Sequence, residues 1–172
     1  MADEYRGVFG AFPYAFRASD SWLFRSYAVV SALAALLVTV LVASGLIVLF
    51  ARTAQIRGGE LTLSRSFYLV VGLFVVAPLV APTLLVARRH RRTTAVHPRY
   101  DALLAASGYL FLAALYVGLV VTVPPAQQTT PTGALAPVVR ALYGLPQAFG
   151  LVPPVAAAAV IALAHRVLRA RE

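Results

Sequence analysis

Three histidines, six acids and a few hydroxyls within apolar runs are the residues whose types suit catalysis or ligand binding. Imidazole is the usual axial ligand of haem, and His90 and His165 are expected at one face of the molecule. Axial ligands in helical bundles project from facing helices into the apolar core. His90, however, sits inside the run Arg88-Arg89-His90-Arg91-Arg92, and His165 stands beside Arg166. Both therefore read as solvated side chains at headgroup level. His97 precedes Pro98 and has no candidate partner at ligand spacing. The acids Asp3, Glu4, Asp20, Glu60, Asp101 and Glu172 are all expected outside the apolar runs, which removes the buried carboxylates that ion-coupled transport uses. Ser31, Ser44 and Ser107 have no histidine or carboxylate at their depth to activate them as nucleophiles, and no paired carboxylates suit a metal. Cysteine is absent, which excludes disulfides, thiol catalysis and thiolate metal sites. The chain is expected to be no enzyme and to hold no cofactor or metal.

The elements that position these residues follow from composition. Hydrophobic residues make up 60% of the chain and charged residues 12%, with a mean hydropathy of +0.81. A soluble domain carries roughly twice that charged fraction. The 172 residues suit one domain, and a helix crossing a bilayer needs about 20 apolar residues. Four runs qualify, near 27–50, 66–87, 102–123 and 146–165. The expected fold is all-α: an integral membrane bundle of four transmembrane helices with short loops, occupying residues 26–168. It is preceded by an N-terminal segment, 1–25, and followed by a short tail, 169–172.

All 15 basic residues are arginine, and their placement predicts orientation. With the amino terminus inside, eleven lie on the inner side (Arg6, Arg17, Arg25, five in the second loop, and Arg166, Arg169 and Arg171) against Arg52, Arg57, Arg65 and Arg140 outside. The positive-inside rule then makes both termini cytoplasmic. Arg88, Arg89, Arg91, Arg92, Arg166 and Arg169 are the expected topogenic residues, facing anionic lipid headgroups. Clustered at span ends, they explain the net charge of +9 without nucleic acid as a partner.

Residues 1–25 show no signal-peptide pattern, so the amino terminus is expected to be retained. Tyr5, Phe9, Phe12 and Phe16 recur at helical spacing, as in an amphipathic segment lying at the interface. Pro13 is expected to divide it into two short pieces. Ser19 or Asp20 is expected to cap the next helix, and Trp22, Phe24 and Tyr27 to form an aromatic belt at the membrane edge. Pro78 and Pro82 in the second span, and Pro153 and Pro154 in the fourth, are expected to kink or break their helices. Ser31, Ala35, Gly108, Ala114 and Gly118 are candidate close-contact positions.

The opening Asp3-Glu4-Tyr5-Arg6-Gly7, the aromatic stretch through Phe12-Pro13-Tyr14 and the four arginine-flanked Ala/Val/Leu spans resemble uncharacterised multi-pass membrane proteins of halophilic archaea, which carry a domain of unknown function. The resemblance covers the full chain and implies a plasma-membrane location, with no catalytic residues to carry over. The expected function is that of a non-catalytic accessory, assembly or scaffold subunit, working as a homo-oligomer or within a larger membrane complex. The alternative is a small permease or channel-like protein for a neutral or lipid-like solute, using proline-broken second and fourth helices.

Overall fold

The computed structural model describes residues 7–53, 59–93, 96 and 98–170. All its elements are helical: α1 (Gly7–Ala18), α2 (Trp22–Thr53), α3 (Gly59–Arg92), α4 (Pro98–Val121), α5 (Ala136–Tyr143) and α6 (Val152–Ala170), with 3-10 turns at Pro125–Gln127 and Gln147–Leu151. Four helical stretches, Trp22–Thr53, Ser66–Arg92, Arg99–Val121 and Gln147–Arg169, are long and apolar enough to cross a membrane. They coincide with the four expected runs. The helices extend past the apolar runs at most ends, because arginines and hydroxyls continue a helix once packing has formed it.

α4 is the centre, packed against α2, α3 and α6. Its buried residues Asp101, Leu104, Gly108, Phe111, Ala114, Gly118 and Val121 recur every three or four positions, the period of one helix face. Two glycines on that face set the inter-helix distances. A Cβ on Gly108 would run into the ring of Tyr27, and one on Gly118 into the Gly150 carbonyl of the turn that precedes α6. Helices without a hydrophobic drive between them associate through such close approaches.

Tyr27 is therefore not a membrane-edge anchor. Its ring is fully buried, stands edge-on to Tyr109 at 5.2 Å, and donates a 2.7 Å hydrogen bond to the Leu79 carbonyl. That carbonyl belongs to the stretch of α3 carrying Pro78 and Pro82, where the backbone has lost donors. Ser31 and Thr83 meet on the same face, 3.4 Å apart. With α2 and α4 bracing it, α3 continues as one helix through both prolines. Pro153 and Pro154 lie in the first turn of α6, where a missing N–H breaks no helical bond. The irregularity in this segment is the passage from 3-10 turn to α-helix at Leu151–Val152. The short helix α5, carrying Arg140 and Tyr143, precedes this segment.

α1 is a single helix through Pro13, not the expected two pieces. It docks on α3 and α2 through Ala11 and Ala15, both fully buried, and this packing outweighs the local cost of the proline. Phe9 is 94% exposed, Phe16 is exposed and Phe12 half-buried, so the aromatic stripe faces away from the bundle. Tyr5 lies outside the described residues.

Gly108→Ala is expected to lower stability by about 1–3 kcal/mol, the usual range for overpacking a filled site. Gly45→Ala on α2, whose added Cβ would meet only Tyr68 at 3.9 Å, is expected to be neutral or stabilising. Thermal unfolding of the two variants in one detergent measures the difference.

Candidate functional site

The ends of α3 and α6 and the starts of α2 and α4 converge, and polar side chains concentrate there. Pro98 opens α4, its fixed φ and lack of a donor suiting the first helical position. Asp101 follows in the first turn, where a negative charge meets the positive end of the helix dipole. Only 1% of it is exposed. One carboxylate oxygen, Oδ2, accepts a 2.5 Å hydrogen bond from the Ser19 hydroxyl and lies 2.9 Å from His90 Nε2 on α3. The other, Oδ1, is buried with no hydrogen-bond partner among the described residues.

Ser19 is consequently not the helix cap. It is fully buried between α1 and α2, and its Oγ also accepts a bond from the Ser21 amide. The cap is Ser21, whose hydroxyl oxygen accepts from the Phe24 amide. Arg25 completes the corner by donating from Nε to the Ser19 carbonyl at 2.8 Å, with its guanidinium over the Phe16 ring. The linker between α1 and α2 is thus tied to α4 by a side chain and to α2 by a guanidinium.

A second pair lies beside the first. The Tyr100 hydroxyl and His165 Nδ1 on α6 share a 2.8 Å hydrogen bond, their rings edge-on, and the Arg89 guanidinium sits 5.2 Å from the Tyr100 ring centre. Neither histidine is the solvated headgroup-level residue that its arginine neighbours suggested. His90 has a side chain only 16% exposed, and His165 is half-buried.

Serine, histidine and aspartate within bonding distance invite comparison with a nucleophilic triad. The order is wrong for that chemistry. A triad places the imidazole between serine and carboxylate so that it can take the hydroxyl proton, whereas here the carboxylate lies between the other two and Ser19 donates to it directly. The arrangement ties α3, α4 and the α1–α2 linker together. Among the described residues, no three of His, Cys, Asp and Glu come within metal-binding reach.

The expected topogenic arginines divide by position. Arg88, Arg89, Arg92 and Arg169, with Leu85, Thr93 and His165, line a cleft of about 250 Å³, while Arg166 lines an apolar groove that adjoins it. Arg91 lies outside both linings. Trp22, expected as an interfacial anchor, is 81% exposed. His97 lies outside the described residues. Counting apolar residues leaves the acid at the centre of this site outside the spans. The signal that places it in the helix is Pro98 followed three positions later by Asp101, a helix-start pattern.

A family model for a domain of unknown function, DUF8056, matches residues 1–169. The chain belongs to the DUF8056 family. Comparison with curated proteins and with solved structures gives no match. The DUF8056 match spans the docked α1, all four long helices and both polar pairs.

Asp101→Ala is expected to leave two donors without their acceptor, at about 1–3 kcal/mol for a buried one and less for His90, whose side chain reaches solvent. Asp101→Asn keeps one acceptor oxygen and is expected to lose less. Limited proteolysis reads the effect, with cleavage near residues 18–21 expected to rise in the order wild type, Asn, Ala.

Proposed function

We propose that this DUF8056 protein is a non-catalytic integral membrane protein, an accessory, assembly or scaffold subunit of a larger membrane complex. It is embedded as four transmembrane helices in a plasma membrane, with both termini on the cytoplasmic side. The source among halophilic archaea implied by the sequence resemblance belongs to the same reading. The observation that carries the proposal is the division of labour at the basic end. Ser19, His90, Asp101, Tyr100 and His165 are consumed in bonds between helices, while Phe9, Phe16 and Trp22 stand exposed on a docked helix and the start of its neighbour. Aromatic residues are enriched in protein contacts as well as at membrane edges, and here a rigid base presents them.

A second reading, a permease for a lipid-like solute, draws support from the groove beside Pro78, whose lining is apolar except at its arginine end. It draws none from proline-broken helices, since α3 is continuous and the prolines of α6 open it.

Purification of the tagged protein from native membranes in mild detergent, followed by mass spectrometry, tests the subunit reading. Stoichiometric partners are expected for wild type and are expected to be lost from a Phe9→Ala, Phe16→Ala, Trp22→Ala variant that stays folded and membrane-bound. Absence of any stoichiometric partner from the wild type counts against it. Since the chain has no cysteine, orientation is readable in the same cells: a Thr130→Cys variant is expected to label from outside.

A further inference from the structure

α6 packs mainly on α4 and meets α3 over a shorter stretch, leaving a groove between α3 and α6 whose two parts differ in chemistry. The apolar part, about 380 Å³, is walled by Ala77, Pro78, Ala81 and Leu85 on one side and by Ala158 and Ile161 on the other. Leu85 and His165 are shared with the arginine-lined cleft, so the two form one path. No carboxylate is among the described residues lining either part.

We infer that this path is a binding site for one anionic phospholipid, with an acyl chain along the apolar groove and the headgroup phosphate held by Arg88, Arg92 and Arg169. The inference rests on the membrane placement proposed above and is independent of the subunit role. Dimensions select the occupant. From Ala77 to Arg88 is eleven residues of one helix, which at 1.5 Å each is about 16 Å. A bilayer core of about 30 Å gives each leaflet about 15 Å. The groove is therefore one leaflet deep, ending in cations at the depth of a phosphate. A soluble anion has no use for the apolar part.

The chemistry selects the charge. Arg88, Arg92 and Arg169 come from the ends of two helices, and guanidinium groups present planar forks that bond phosphate oxygens two at a time. Basic pockets between membrane helices on the cytoplasmic side suit acidic lipid headgroups. The alanines matter as much, because with no side chain beyond Cβ they leave the slot open between helices that α4 already holds apart. This is a discrete site for one molecule, distinct from the general attraction of the arginines to an anionic surface.

Native mass spectrometry of the full chain in non-ionic detergent, titrated with phosphatidylglycerol or with phosphatidylcholine of the same acyl chains, tests the site. One phosphatidylglycerol is expected to bind, with phosphatidylcholine far weaker and glycerol 3-phosphate unable to displace the bound lipid. An Arg88→Gln, Arg92→Gln, Arg169→Gln variant is expected to bind on the order of a hundredfold more weakly, from about 1 kcal/mol per arginine. Ala81→Phe, which fills the groove and keeps every charge, is expected to weaken binding as well. Full displacement by glycerol 3-phosphate would reduce the site to an anion site and overturn the proposal. So would equal binding of the two lipids by the wild type, or unchanged binding in either variant. Membrane residence itself is read separately, from whether extraction requires detergent, so failure of the lipid site and failure of the membrane placement give different results.

Discussion

A carboxylate that is 99% removed from solvent at the end of a helical bundle must be held by its neighbours, and the basic end of this protein is arranged around that need at Asp101. An ionised group in such a place is costly unless hydrogen bonds and opposite charge surround it. Ser19 supplies one bond, His90 a second contact, and the amino-terminal turn of α4 a favourable field. Each of these has a structural consequence. Ser19 can reach Asp101 only if the α1–α2 linker folds inward, which places Ala11 and Ala15 against the bundle. His90 can reach it only if α3 runs on through its arginines. The inward fold of the α1–α2 linker and the continuation of α3 through its basic end are thus both tied to one acidic side chain.

Further from this end the forces change. α2 has 32 residues and α3 has 34, against 24 in α4, so at about 1.5 Å per residue the first pair outreaches α4 by more than 10 Å. Beyond the reach of α4 the two long helices rely on each other. Val42 fits against Gly72, and Tyr68 passes Gly45. Leu41, Ile47, Leu63, Phe67 and Leu73 are each more than half exposed there. Surfaces of that size on a soluble protein mark an interaction site. In a membrane, lipid tails or another helix satisfy them equally well, since the driving force for association is packing and not escape from water. The polar latches therefore fix one end of the bundle, and backbone proximity at glycines fixes the remainder.

Much of the architecture was legible because hydropathy works on segments. Runs of about 20 apolar residues between arginines admit one element type, so four helices and their order follow from length alone. The outward aromatic stripe of α1 was legible for a similar reason, as Phe9 and Phe16 lie on one helical face. What failed were single residues whose role depends on a distant partner. Tyr27 carries the same belt-like signal as Trp22, yet one is fully buried and the other 81% exposed. The difference is the space left by Gly108, 81 residues away in sequence and read there only as a close-contact position. His90 and His165 were hidden by their arginine neighbours, because local composition reports the environment of the chain and not the direction of one side chain. Asp101 was hidden by a counting rule. Hydropathy marks where apolar residues begin, whereas a helix begins at its proline and cap, one turn earlier.

The central claim is that Ser19, His90 and Asp101 act as one unit joining the amino-terminal segment to α3 and α4. A double-mutant cycle on Ser19→Ala and Asp101→Ala, read by unfolding in detergent, tests it most directly, since the cycle isolates what each residue contributes through the other. The account predicts a coupling of at least about 1 kcal/mol, the double variant losing clearly less than the sum of the single losses. Losses that add to within about 0.5 kcal/mol would show that the two side chains stabilise the protein independently, and would contradict the claim.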